Sequence, residues 1–428
     1  MSPEPIINSP DSPSTKSPST KSPSTKSPST KSPSAQSAQL AKPTVPTQQG
    51  IQLPPYPYDR LGPLQDLAIK AYGSVIDLSV GTPCDPPADS VLQALAQSAD
   101  AARSYPPSIG TKQLRSAAAD WFKLRLGVEV PLDQIAACVG SKEFVAGLPH
   151  WLRLRDPTKD TVLFPAMSYP SYAMGATLAN CRAVAVPLDS NFRLDLSAVA
   201  QTDIDRALCL WTNTPGNPTG ALDDLAQVAE WGRSNRVPVF SDECYVEFTW
   251  VGPPAGPGQP PGQTILATGL DGVVAVHSLS KRSNLAGIRV GFYAGDEELV
   301  SYLSELRKHA GFMVPGPAQL AAVAALNDSA HVLKQRELYW SRLGSVAAVL
   351  TAMDLHAPLP AGAFYLWVPA PSGDAWGLAE RLAVELGVLV SPGEFYGQAA
   401  AGFVRVAVVQ NDAQIQLLQL RAQGRSLN

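Results

Sequence analysis

Short, uniformly apolar runs punctuate the chain between Ser79 and Ala294, and amphipathic stretches fill the gaps between them. Residues 207–211, 237–240 and 273–276 carry no alternating polar face. They therefore predict strands buried on both sides, as in a mostly parallel sheet with helices on each face. This is the α/β pattern. After Asp296 the texture changes: helical periodicity runs over 297–309, 317–327 and 330–353, then over 375–386. Strands are predicted at 364–368, near 388–390 and at 403–408. The later segment predicts a smaller α+β domain. The stretch ahead of Ser79 should complete it, with an extended arm through Pro54, Pro55, Tyr56, Pro57 and Tyr58 and a helix from about Leu61 to Ala71. The expected division is a tail over 1–50, the arm over 51–80, a large domain over 81–299 and a small domain over 300–428. The Pro- and Gly-rich stretch 252–262 predicts a surface loop.

The tail differs in kind. From Ser12 to Ser34 it repeats Ser-Pro-Ser-Thr-Lys, with Lys16, Lys21, Lys26 and Lys31 in register. So little apolar surface cannot offset the entropy of ordering, which predicts a solvated, disordered segment. Ser and Thr beside Pro and Lys also suit modification or partner binding. For the rest, a chain of 428 residues is long enough for two buried cores. A net charge of −4 makes no electrostatic case for nucleic acid or an anionic membrane. No apolar run approaches spanning length, and the N-terminus has no apolar signal region. Cys84, Cys138, Cys181, Cys209 and Cys244 are scattered and odd in number, without metal-ligand spacing. That argues against a disulfide framework or a metal site and for a reducing cytoplasm.

Candidate chemistry concentrates at predicted strand ends. After residues 273–276 comes Ser278-Leu279-Ser280-Lys281, with Arg289 eight positions beyond the lysine. An aldehyde cofactor needs a lysine of depressed pKa, and a dianionic phosphate needs hydroxyls and a guanidinium; this segment holds all three. After residues 207–211 comes Asn213-Thr214-Pro215-Gly216-Asn217-Pro218, which by itself reads as a turn. After residues 237–240 comes Ser241-Asp242-Glu243-Cys244-Tyr245. Asp242 there can cap a helix or hold a pyridine nitrogen protonated.

These three segments, in this order and spacing, resemble the fold type I aminotransferases, enzymes that depend on pyridoxal 5′-phosphate. The resemblance runs from about Ile51 to the C-terminus. It implies an aspartate aminotransferase-like fold, with a mostly parallel seven-stranded sheet in the large domain. It implies Lys281 as the Schiff-base lysine and the base for the proton shift, in a ping-pong transamination. Asp242 becomes the partner of the pyridine nitrogen, and Asn217 and Tyr245 bond the ring's 3-oxygen. Ser278 and Arg289 become phosphate ligands, and Gly140-Ser141-Lys142-Glu143 resembles the phosphate cradle, where Ser141 and Lys142 open a helix. A simple helix start is the alternative for that turn. Tyr169 is the aromatic expected against the ring, with Tyr172 the alternative and core packing open to both. Tyr105 resembles the tyrosine that reaches the phosphate of a neighbouring subunit, which implies a homodimer with shared sites. Arg405, flanked by apolar residues, needs a buried anion. The resemblance makes that anion the substrate α-carboxylate, with Asn217 and Gly81 beside it; a structural ion pair is the alternative.

The run Lys281 to Gly287, the Gly140–Glu143 turn and Pro55-Tyr56-Pro57-Tyr58 are similar to bacterial N-succinyldiaminopimelate aminotransferases. That implies L-glutamate as donor and N-succinyl-2-amino-6-oxopimelate as acceptor. No second arginine stands out as a reader of the distal carboxylate. A broad-specificity aspartate or aromatic aminotransferase, or a C–S β-lyase of the same fold, would share the cofactor residues. A PLP-fold transcriptional regulator would need a helix-turn-helix, and residues 1–50 have none.

Overall fold

The apolar runs assemble into one sheet whose members are buried from end to end. In the computed structural model, residues 53–251, 256, 258 and 260–425 are described. The repeat tail lies outside them, as does part of the 252–262 loop. From Pro55 onward the chain is one compact unit. A short β1 (Ile76–Asp77) precedes the main-sheet strands β2 (Ile135–Cys138), β3 (Thr161–Pro165), β4 (Arg182–Val186), β5 (Ala207–Asn213), β6 (Val239–Asp242), β7 (Val273–Ser278) and β8 (Gly291–Gly295). Their order across the sheet is β2-β8-β7-β6-β5-β3-β4. β8 runs antiparallel to both its neighbours, while β7, β6, β5, β3 and β4 pair in parallel. Every residue of the inner strands is buried, and only edge strand β4 is largely exposed. Helices on both faces account for that burial.

Two apolar clusters flank this sheet. One gathers Leu163, Leu210, Val239 and Ala275 with the helix Gly316–Asn327, and the other Val162, Trp211, Phe240 and Val276 with the helix Glu297–His309. The texture change after Asp296 therefore does not mark where packing on the large sheet stops. Helix Glu297–His309 forms where the sequence predicts it because Asp296 accepts from the Leu299 N–H at 2.9 Å. Acidic residues fill its first turn and Arg307, Lys308 and His309 its last, matching the helix dipole at both ends.

β9 (Tyr365–Pro369), β10 (Val388–Leu389), β11 (Ser391–Pro392) and β12 (Phe403–Ala407) follow. β12 lies between β11 and β9, antiparallel to both, and β10 pairs in parallel with β1 of the N-terminal arm. A third cluster joins this layer to the helices Gly62–Tyr72, Ala330–Thr351 and Ala375–Leu386, and takes in Tyr245, Phe248 and Trp250 from the chain after β6. No described helix is long and apolar enough to cross a membrane.

Candidate active site

Asn213, Asp242 and Ser278 are the last residues of β5, β6 and β7. In the parallel register Asn213 lies opposite Asp242, and Asp242 opposite Val276, so the three carboxyl ends are nearly level. Such an edge is where open α/β sheets bind ligands. It opens here on a cavity of about 530 Å³, walled on the far side by Arg405 of β12 and Tyr365 of β9.

Ser278 Oγ accepts from the Ser280 N–H and starts a single helical turn, Leu279–Arg282. Lys281 leaves that turn into the cavity and its Nζ donates to the Gly81 carbonyl. The next residue, Arg282, points the other way: it is buried, pairs with Glu247 at 3.2 Å and donates to Ala325 O at 2.7 Å. The turn is thus tied down behind the lysine. Burial pushes the Lys281 ammonium down to about 8. At pH 7 roughly a tenth of it is free amine, against fewer than about one in a thousand for an ordinary lysine. Capture of an aldehyde cofactor by the apoprotein should therefore accelerate about tenfold per pH unit up to about pH 8 and then level. Stopped-flow absorbance reads this; a rate flat from pH 6 to 9, or still climbing past pH 10, would contradict it.

An anion cradle lies beside the lysine. Gly140 (φ 75°) turns β2 into the helix Ser141–Arg155, whose N-terminus has no side-chain cap and whose Ser141 and Lys142 line the cavity. Glycine serves at 140 because φ 75° strains any residue with a Cβ, and the Arg289 guanidinium lies where that Cβ would stand. Arg289 is itself left-handed (φ 57°) and donates to Ala286 O and Val139 O. Ser141, Ser278, Ser280 and Arg289 all reach the cavity. Glu143, the one acid of the turn, is held elsewhere by a two-pronged contact with Arg307 at 2.7 and 2.8 Å.

On the opposite wall, the Asp242 carboxylate accepts from the Tyr172 hydroxyl at 2.9 Å and the Cys244 N–H at 3.2 Å. Burial raises its pKa, and these two donors oppose the rise. Asn213 donates to Asp242 O and accepts from the Asn217 N–H, both at 2.8 Å. Asn217 Oδ1 in turn accepts from Arg405 Nη1 at 2.8 Å. The second Arg405 nitrogen donates to Ser79 O, and its buried Nε has no partner. Among the described residues no carboxylate lies within ion-pair distance of Arg405, so a structural ion pair is not what holds it. The guanidinium is sandwiched instead between Tyr365 and Tyr396, 4.4 and 4.8 Å from their ring centres.

The structure therefore brings Gly81, Ser141, Lys142, Tyr169, Asn217, Asp242, Tyr245, Ser278, Lys281, Arg289 and Arg405 to one cavity. Tyr105 is apart from it, 93% exposed on the surface. Of the two tyrosines left open above, Tyr172 is buried on Asp242, while Tyr169 faces the mouth beside Tyr56 and Lys142. β6 and β7 start or end later than the apolar runs suggest, so Asp242 and Ser278 close their strands instead of following them. Asn213 and Tyr365 are among the cavity residues that escape the sequence reading. Asn213 reads as a turn residue, and Tyr365 lies in the apolar run Phe-Tyr-Leu-Trp-Val, where nothing separates it from core.

Comparison with known proteins gives this cavity a family. Residues 73–419 match "Aminotransferase class I and II", and the chain belongs to that pyridoxal phosphate-dependent family. It is 38% identical over 368 residues to a 4-dedimethylamino-4-oxo-anhydrotetracycline transaminase of Streptomyces rimosus, covering 85% of this chain and 97% of the relative. It is 32% identical to an LL-diaminopimelate aminotransferase of Dehalococcoides mccartyi, covering 85% and 94%. The solved structure of a probable N-succinyldiaminopimelate aminotransferase from Thermus thermophilus superposes with a TM-score of 0.74 at 30% identity, covering 84% of this chain and 98% of that one. The residues present fit the cofactor: a buried lysine whose ammonium burial pushes down, Ser141, Ser278, Ser280 and Arg289 together at one cavity as an anion cradle, and a buried aspartate lining the same cavity.

Proposed function

We propose that the protein is a transaminase of dicarboxylic amino and oxo acids. The specific reading is transfer between L-glutamate and N-succinyl-2-amino-6-oxopimelate, giving N-succinyl-LL-2,6-diaminopimelate. One observation carries it: besides Lys281 and Arg289, which this reading gives to the cofactor, two further cations, Arg405 in the depth and Lys142 at the mouth, line the cavity with no carboxylate within ion-pair distance among the described residues. Lys142 rests instead over the rings of Tyr56 and Tyr169, at 5.3 and 5.6 Å. A substrate with a carboxylate at each end satisfies both charges. The Dehalococcoides and Thermus relatives, by their names, support the diaminopimelate branch of this class.

In this reading Lys281 holds the cofactor and its Nζ takes the proton from the substrate Cα. Asp242 keeps the pyridine nitrogen protonated, and Asn217 and Tyr245 bond the 3-oxygen. Ser278, Ser280, Arg289 and the N–H groups of Ser141 and Lys142 hold the phosphate. Tyr169 lies against the ring, and Arg405, with Asn217 and Gly81 beside it, takes the α-carboxylate. When bound, pyridoxal phosphate supplies the sink for the electron pair released as the Cα–H bond breaks. Tyr105, exposed and away from its own cavity, is assigned to the site of a second copy in a homodimer.

The test is an amino-donor and oxo-acid panel on the wild type and Lys142→Met. KM for glutamate and the succinylated substrate should rise about 10- to 100-fold in the variant, the worth of a charged hydrogen bond. KM for alanine should stay within about threefold. Equal effects on all substrates would refute the distal-carboxylate role. The Streptomyces relative favours a second reading, amination of a polycyclic ketone lying on Tyr56, Tyr58 and Tyr169. A wild type that aminates such ketones faster than the dicarboxylic oxo acids would select it.

A further inference from the structure

Tyr365 is 1% exposed, yet it touches three parts of the site. Its hydroxyl lies 2.7 Å from the Tyr245 hydroxyl. Its ring is the nearer face of the sandwich around Arg405, 4.4 Å from the guanidinium carbon. Its hydroxyl also packs on the α-carbon of Gly81, where a Cβ would collide with it, and the Gly81 carbonyl accepts from Lys281 Nζ. Tyr245 follows β6 of the large sheet, whereas Tyr365 opens β9 of the small one, so the hydroxyl pair crosses between layers.

We propose that Tyr365 is a positioning residue that couples the carboxylate anchor Arg405 to the Tyr245 phenol. The inference rests on the reading above, in which Tyr245 bonds the cofactor 3-oxygen. Burial raises both phenols, so both hydroxyls are neutral and the pair has two protons to place. If Tyr245 donates its proton to the 3-oxygen, its own oxygen is left to accept, and the Tyr365 hydroxyl is the donor 2.7 Å away. Donors in series polarise one another, so Tyr365 strengthens the Tyr245 bond and stabilises negative charge on the 3-oxygen. A 3-oxygen stabilised in this way holds the neighbouring titrating proton less tightly, so weakening the hydrogen bond must make that proton harder to lose. The same ring fixes the plane of Arg405, so a carboxylate arriving there meets a guanidinium already oriented.

Hydroxyl and ring are separable by substitution. In Tyr365→Phe the stack on Arg405 survives and the donor is lost. The pH midpoint of the bound cofactor's visible absorbance should move upward, in the same direction as in Tyr245→Phe but by less. KM should stay within about threefold, because the ring remains. Tyr365→Leu removes both, and should add a rise of about tenfold in KM for every α-amino acid, dicarboxylic or not. Spectral titration of the holoenzyme, steady-state kinetics and cofactor affinity by dialysis read these effects. An unmoved midpoint in Tyr365→Phe, with Tyr245→Phe shifted, overturns the coupling. Unchanged KM in a Tyr365→Leu protein that melts like the wild type overturns the anchoring. A wild type with no pH-dependent visible band would instead remove the cofactor-site reading beneath both.

Discussion

Lys281→Ala should lose transamination by on the order of 10⁴-fold or more, the upper range for a positioned acid–base group, compounded by loss of the covalent anchor. Two features tie the effect to this side chain. Arg282 is tied to Glu247 and Ala325 O behind the turn, so the backbone of the turn should stay in place when the lysine side chain is removed. Lys281 is also the cavity's depressed amine, pushed down to about 8 by burial, and Lys142 at the mouth stands over two tyrosine rings. Borohydride reduction should add the mass of the cofactor to the intact wild-type chain and nothing to the variant at this position. Activity within tenfold of wild type, or cofactor mass retained in the variant, would end the assignment of this lysine.

Asp242→Asn should lower kcat on the order of 10³-fold while leaving the cofactor bound. The substitution keeps the shape: the amide oxygen can accept from the Cys244 N–H in place of Oδ1, and the amide NH2 in place of Oδ2 can donate to the Tyr172 hydroxyl, which turns to accept, so the fold around β6 should hold. What disappears is the negative charge that keeps the pyridine nitrogen protonated, and with it the pull on the electron pair. The cradle residues Ser141, Ser278, Ser280 and Arg289 are not among the hydrogen-bond partners of the Asp242 carboxylate, so the phosphate's hold should not depend on it. Rates at saturating cofactor, with cofactor content measured in the same sample, separate the two effects. A loss of activity that excess cofactor restores would place Asp242 in binding rather than in the chemistry.

Much of this site is legible in the chain because its parts sit where strands stop. A buried parallel strand must end in a loop at one sheet edge, so a polar residue after an apolar run is placed by the run itself. Lys281, Asp242 and Asn217 are found that way, and Arg405 by its apolar neighbours. Strand limits are less legible: polar Asp242 and Ser278 continue their ladders because paired backbone, not side-chain polarity, decides where a strand ends. The helices Glu297–His309 and Gly316–Asn327 follow their 3.6-residue period closely, but the period does not say which sheet they cover. Tyr365 is illegible for a related reason. Its ring is as apolar as the core around it, and only the tertiary approach of Gly81, Tyr245 and Arg405 turns its hydroxyl into a site group. The tail over 1–50, expected to be solvated, lies outside the described residues.

The close approach of Gly81 to Tyr365 restricts how this sequence can drift. While a tyrosine stands at 365, any larger residue at 81 collides with its hydroxyl and displaces the carbonyl that receives Lys281. A smaller residue at 365 would admit alanine at 81 but would leave Tyr245 without its hydroxyl neighbour and Arg405 without one of its two rings. Positions 81 and 365, far apart along the chain, are therefore expected to change together or not at all across descendants that keep the activity.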